Sequence, residues 1–153
     1  MADFTIALLD AELTNDPVSL SYSYSKVDDT RDAAIADIIN NAAGDKDRTV
    51  NHVSVDAASM RAITTFDAYD GLSASETAWF TWLTGNGEIA VTTENLEDLA
   101  GIGGTSRWAL ADRTVMEPRM VALMQFTDGS RAQELWGEGF RVTPSQVAQA
   151  RAV

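Results

Sequence analysis

The chain has 153 residues, 45% of them hydrophobic, which is one domain's worth and enough to bury a core. Its net charge is −12, from 23 acidic and 11 basic side chains, and so acidic a surface disfavours counterion-driven binding to nucleic acid. Cysteine is absent, which excludes a disulfide framework, a thiolate nucleophile and a thiolate metal site.

The opening residues, Met1-Ala-Asp-Phe-Thr-Ile, lack the basic and apolar regions of a signal peptide. No apolar run reaches the length of a membrane span, so a soluble protein without membrane contact is expected. The charge is uneven. Residues 1–104 hold 18 acids and 5 bases, whereas residues 105–153 hold 5 acids and 6 arginines.

Ile6, Leu9 and Leu13 fall at i, i+3 and i+7 and predict a first helix. Asn15-Asp16-Pro17 ends it, because the residue before a proline is pushed out of the α region. Residues 18–27 alternate apolar with small polar side chains, which suits either a short strand or an exposed extended arm. The arm, over 15–27, is the expectation adopted. Asp28-Asp29-Thr30 opens a second helix with acids at its positive end, and Ile35, Ile38, Ile39 and Ala42 form its apolar face. A polar loop over 44–48 precedes an extended stretch at 49–55.

Ser54 or Asp56 caps a third helix with an inner face of Met60, Ile63 and Phe66 or Asp67. Asp70-Gly71 marks a turn, and Ser73 with Glu76 forms a capping box for a helix carrying Trp79, Phe80, Trp82 and Leu83. That aromatic cluster reads as core with one ring at an interface. Gly85-Asn-Gly87 ends the helix, and residues 88–92 suit either state. A helix from Thr92 or Thr93 through Leu96, Leu99 and Ala100 stops at Gly101-Ile-Gly-Gly104, and Thr105 or Ser106 is expected to cap the next. Pro118 either kinks a helix or begins a new one, the second being the expectation, and Asp128-Gly129 is expected to make a turn. Two capped helices close the chain. Ser130 stands three residues before Gln133 and Thr143 three before Gln146, with Pro144 at a first helical position and a glycine break between. The expected fold is therefore mainly α: one helical domain over 1–153, a bundle of short capped helices with an extended arm near the N-terminus and little or no sheet.

No chemistry stands out. His52 is the lone histidine, with no local nucleophile or orienting acid. Asp28-Asp29 with Asp32, and Asp45 with Asp47, lack the spacing of a calcium loop. Gly101–Gly104 lacks the lysine and the preceding strand of a phosphate-binding loop. The expectation is a non-enzyme with no catalytic, cofactor-binding or metal-binding residues. An arm, surface aromatics, an acidic body and an arginine-bearing tail are the materials of an assembly protein. Tyr22, Tyr24, Arg131, Trp136, Phe140, Arg141 and Arg151 are the candidate partner-contact residues, and 130–153 is a candidate docking element.

Three stretches carry a likeness to known proteins. They are Leu8-Leu-Asp-Ala-Glu-Leu-Thr-Asn-Asp-Pro-Val-Ser-Leu-Ser-Tyr22; Arg48-Thr-Val-Asn-His-Val-Ser-Val55 with Met60, Ala62-Ile63 and Leu72-Ser-Ala-Ser-Glu-Thr-Ala-Trp79; and Ser130-Arg-Ala-Gln-Glu-Leu135 with Val142-Thr143 and Val147-Ala-Gln-Ala-Arg151. In this order they resemble a family of small structural proteins of tailed bacteriophages that act at the head-to-tail junction. The family often has glycine where this chain has Ser21. The resemblance implies a mainly helical adaptor in the virion neck, assembled in the host cytoplasm as a dodecameric ring below the portal. It implies the portal protein, the next neck or tail protein and further copies of itself as partners, with genomic DNA passing through unbound. Other head-tail, tail-completion or baseplate subunits, and an acidic DNA mimic that binds a basic protein, are the alternatives.

Overall fold

A computed structural model describes residues 2–41 and 48–153. The polar loop expected after Asn41 and the helix-face position Ala42 therefore lie outside the described residues, apart from Arg48. The protein is mainly helical, with two short two-stranded sheets among the described residues. Where one domain over 1–153 is expected, the chain packs as two compact units. One combines residues 1–50 with 127–153, and the other spans Asn51–Phe126.

The first unit holds helices α1 (Ile6–Asn15), α2 (Asp32–Asn40), α8 (Arg131–Trp136) and α9 (Pro144–Arg151). Thr5 caps α1 by accepting the Leu8 N–H, and the helix ends in a left-handed Asp16, just before Pro17. Its core joins Leu9 and Leu13, Leu20 and Tyr22, Ile35 and Ile39, Trp136, Val142 and Val147. The two ends of the sequence thus share one core. Residues 17–25 have no regular secondary structure but are not an exposed arm. Leu20 and Tyr22 are buried, because their large side chains gain more from the core than from water.

The second unit holds α3 (Ala57–Ile63), α4 (Phe66–Asp70), α5 (Ala74–Leu83), α6 (Thr93–Ala100) and α7 (Arg113–Met124). Strand β2 (Ser54–Asp56) pairs antiparallel with β3 (Glu88–Ala90), with Val55 opposite Ile89 and both buried. Asp56 caps α3 as expected, but the helix stops at Thr64 and Phe66 starts a separate short helix capped by Thr65. Phe66 is consequently 76% exposed and not part of the inner face. Of the α5 aromatics, Phe80 is core, Trp79 is partly buried under Arg107, and Trp82 is the exposed ring, at 69%.

Three boundaries differ from expectation for tertiary reasons. No helix follows Thr105 or Ser106: Ser106 donates its hydroxyl to Glu117 at 2.8 Å, and a 3₁₀ turn at Leu110–Asp112 leads into α7. Pro118 lies inside α7 and does not begin it. The lost hydrogen bond and the clash of the ring with the preceding turn together cost about 3 kcal/mol in an isolated helix. Here Met116, Met120 and Met124, fully buried at i, i+4 and i+8, hold the helix against the core of the unit. Asp128-Gly129 is not a turn but the end of strand β4 (Gln125–Gly129), which pairs with β1 (Arg48–Asn51). A Cβ on Gly129 would stand 2.3 Å from Val50 Cγ2 and 2.9 Å from the Arg48 carbonyl oxygen, so this pairing requires glycine.

The C-terminal caps form as expected, with one difference. Thr143 and Gln146 make the full reciprocal box. Ser130 accepts the Gln133 N–H, but the Gln133 side chain turns away and accepts the Gly139 N–H at 2.7 Å, closing the glycine break between α8 and α9.

Candidate partner interface

The seven candidate contact residues all lie in the first unit, and the fold uses most of them internally. Glu12 on α1 is the centre of the largest group. Arg131 on α8 grips its carboxylate with two parallel bonds, Nε to Oε1 at 2.8 Å and an Nη to Oε2 at 2.9 Å. The Tyr22 hydroxyl donates to Glu12 Oε1 at 3.0 Å, and Glu134 pairs with the outer side of Arg131. Only 6% of the Glu12 side chain and 11% of the Arg131 side chain are exposed. The hydrogen bonds from Arg131 to Glu12 hold the guanidinium charged far above its ordinary range. Burial, reinforced by the Glu12 charge, pushes the Tyr22 hydroxyl well above the usual tyrosine range. Tyr22 is buried and Arg131 largely so, which places both in a structural network and not at a free surface.

A second cluster ties the leader to the C-terminal helix. Asp10 accepts from the Tyr24 hydroxyl at 2.9 Å and from Lys26 Nζ at 2.6 Å. Lys26 also reaches the carbonyls of Ala150 and Val153, each at 3.3 Å. The Lys26 contact holds the Asp10 carboxyl below its ordinary value, and burial raises Tyr24. Arg151 on α9 makes a two-pronged pair with Asp32 at the start of α2, which lowers the Asp32 carboxyl. Asn40, at the far end of α2, exchanges two hydrogen bonds with the Val142 backbone at 2.7 and 2.8 Å.

Trp136 and Phe140 form an aromatic triad with Phe4, with ring centroids 4.9 to 5.4 Å apart. Trp136 is buried and Phe140 half-buried. Arg141 alone of the seven is exposed. The apolar face of α9 is already occupied, since Val147 and Ala150 are fully buried against α1 and α2. The tail therefore caps its own core and does not present a free apolar face for docking.

Surface features that sequence reasoning passed over, the exposed α5 ring apart, lie in the second unit. An open apolar groove of about 580 Å³ is walled by Phe66, Tyr69 and Phe80, with Thr65, Thr84 and Arg61 around it. The Thr84 hydroxyl is turned to the Phe80 carbonyl and Arg61 donates to the Thr84 carbonyl, so few polar groups face the opening. Trp82, Leu110 and Val115 add exposed apolar surface elsewhere on the unit. The signal for Trp82 was present: four large apolar residues in five positions exceed what one helix face can bury.

Among the described residues no group of three or more acidic, histidine or cysteine side chains is placed to hold a metal ion. His52 packs beside Phe126, with ring centroids 4.9 Å apart. At Gly101–Gly104 the chain's own carboxylates occupy the space: Glu117 lies against Gly101 and Glu97 against Gly104. The Ile102 N–H returns to the Leu96 carbonyl, a helix-ending arrangement that glycine in the left-handed region permits. No helix among the described residues is long and apolar enough to cross a membrane. No family model, curated protein or solved structure matches the chain.

Proposed function

We propose that the chain is a non-enzymatic structural protein of a tailed-phage virion, an adaptor in the head-to-tail neck that forms a ring below the portal. The observation that carries this reading is the ordered set of three motif stretches, Leu8–Tyr22, Arg48–Trp79 and Ser130–Arg151. The packing lends support of a particular kind. Leader and tail, the first and third stretches, are joined by Glu12–Arg131 and by the Lys26 contacts, so their pairing in one sequence has a structural reason. An acidic exterior suits a channel through which DNA slides, because carboxylates repel the phosphate backbone. The exposed aromatics of the second unit offer contact surface for the portal, the next neck protein or a neighbouring copy.

Mass spectrometry of purified particles, followed by electron microscopy of the neck, tests the proposal. The expected result is the protein in stoichiometric amount within a ring at the portal. The net charge of −12 also favours an acidic mimic of DNA. A monomer absent from particles and bound to a basic host protein would establish that reading and sink the neck assignment.

A further inference from the structure

Residues 18–25 carry a pattern and a conformation that contradict each other. Leu20, Tyr22 and Tyr24 alternate with Ser19, Ser21, Ser23 and Ser25, the period of a β-strand with one apolar face. A strand requires φ near −120 to −140° throughout. Instead Ser19, Ser21 and Ser23 have φ of 58°, 61° and 54°, the left-handed region that glycine enters freely and serine does not. All three serines are exposed, so no side-chain burial offsets the conformation at those positions.

What holds the segment is the burial of Leu20 and Tyr22 in the core of the unit, an Arg31 bond to the Tyr22 carbonyl at 3.4 Å and a set of contacts to α1. The Asp16 carboxylate takes the N–H groups of Leu20 at 2.7 Å and Ser21 at 2.8 Å, and the Tyr22 and Tyr24 hydroxyls reach Glu12 and Asp10. Local preference set against the native fold marks places where a chain stores a second arrangement. The described strands also leave room for one. Each sheet among the described residues has two strands, and the edge of a sheet this small is where an added strand pairs.

We propose that residues Pro17–Ser25 are an exchangeable strap, tucked onto α1 in the free chain and handed over as an extended strand to a sheet edge of a second copy during assembly. The proposal rests on the ring reading. The Asp16 carboxylate is the latch, and the left-handed serines make release easier than glycines would. Release frees the three serines to return to negative φ, while Leu20, Tyr22 and Tyr24 gain a common face for the neighbour.

Two triple variants and hydrogen–deuterium exchange of the full chain test this. Ser19→Gly/Ser21→Gly/Ser23→Gly favours the tucked form, so exchange of the 18–25 amides should slow by about tenfold, with self-association slowed alongside. Ser19→Val/Ser21→Val/Ser23→Val should do the opposite. If the valine variant fails to fold, the glycine variant still decides, because the relief of three left-handed positions exceeds the freedom that glycine adds to the released segment. Leader exchange equal to wild type, or a glycine variant that associates as fast as wild type, overturns the strap. So does a wild-type chain that is present in particles yet stays monomeric at every concentration; the neck reading survives that result. Absence from particles removes the neck reading, whatever the leader does.

Discussion

The Glu12–Arg131–Tyr22 network allows the sharpest test of how the first unit is held together. Arg131→Ala removes both bonds to a carboxylate that is 6% exposed, leaving only the Tyr22 hydroxyl as donor. Breaking a buried ion pair by removing one partner costs about 3–5 kcal/mol, because the other charge stays in a poorly solvating site. A domain of this size has about 5–15 kcal/mol of stability, so about a fifth of it or more should disappear. The companion variant Glu12→Met/Arg131→Met/Tyr22→Phe removes all three polar groups together and substitutes apolar volume. It should return to within about 2 kcal/mol of wild type, since no buried charge is then unpaired. Urea unfolding followed by circular dichroism measures both. A loss under about 1 kcal/mol for Arg131→Ala, or a triple variant as unstable as the single one, would refute the argument that the pair is buried and mutually dependent.

Gly129→Ala should destabilise the first unit by about 1–3 kcal/mol, since the new methyl meets the Val50 side chain and the Arg48 carbonyl in the paired strand and the carbonyl cannot move without disturbing the ladder; a midpoint in urea unchanged from wild type would contradict it. The Asp32 and Asp10 carboxyls are held below their ordinary value by Arg151 and Lys26. The stability they add is complete above the unfolded carboxylate value of 3.8 and is lost as pH falls through the lower folded values. Thermal melts between about pH 5 and 2 should show this decline, flattened in Asp32→Asn. Deleting Thr143–Val153 should expose the core faces of α1 and α2 and yield an aggregating chain. A folded, monomeric truncation, checked by light scattering, would instead return the tail to the role of a docking element.

Much of the fold was legible because it is written in adjacent residues. Ser73, Ser130 and Thr143 cap helices as expected, and so do Asp56 and Thr92, each one of two candidates, since a cap needs only an oxygen within reach of an N–H two or three positions on; of the expected capping boxes, Thr143 with Gln146 closes in both directions, whereas Ser73 and Ser130 each only accept. The candidate interface was less legible. Tyrosine and arginine are favoured at protein contacts, but they serve equally well in a buried network when a carboxylate is at hand. Nothing near Tyr22 in the sequence announces Arg131, which lies far along the chain and reaches it only through Glu12.

By itself, then, the sequence determined the helical character, the starts of the side-chain-capped helices α3, α5, α6, α8 and α9, and the break between α8 and α9, all of which follow from backbone hydrogen bonding within a turn or two; the starts of α4 and α7 did not follow from it. Its composition also determined a cysteine-free, acidic chain. Tertiary structure alone decided that Leu20 and Tyr22 in the leader would fold inward, that Pro118 would stay inside a helix and that Gly129 would end a strand. In each case burial or close packing against residues distant in the chain outweighs a local preference worth a few kcal/mol.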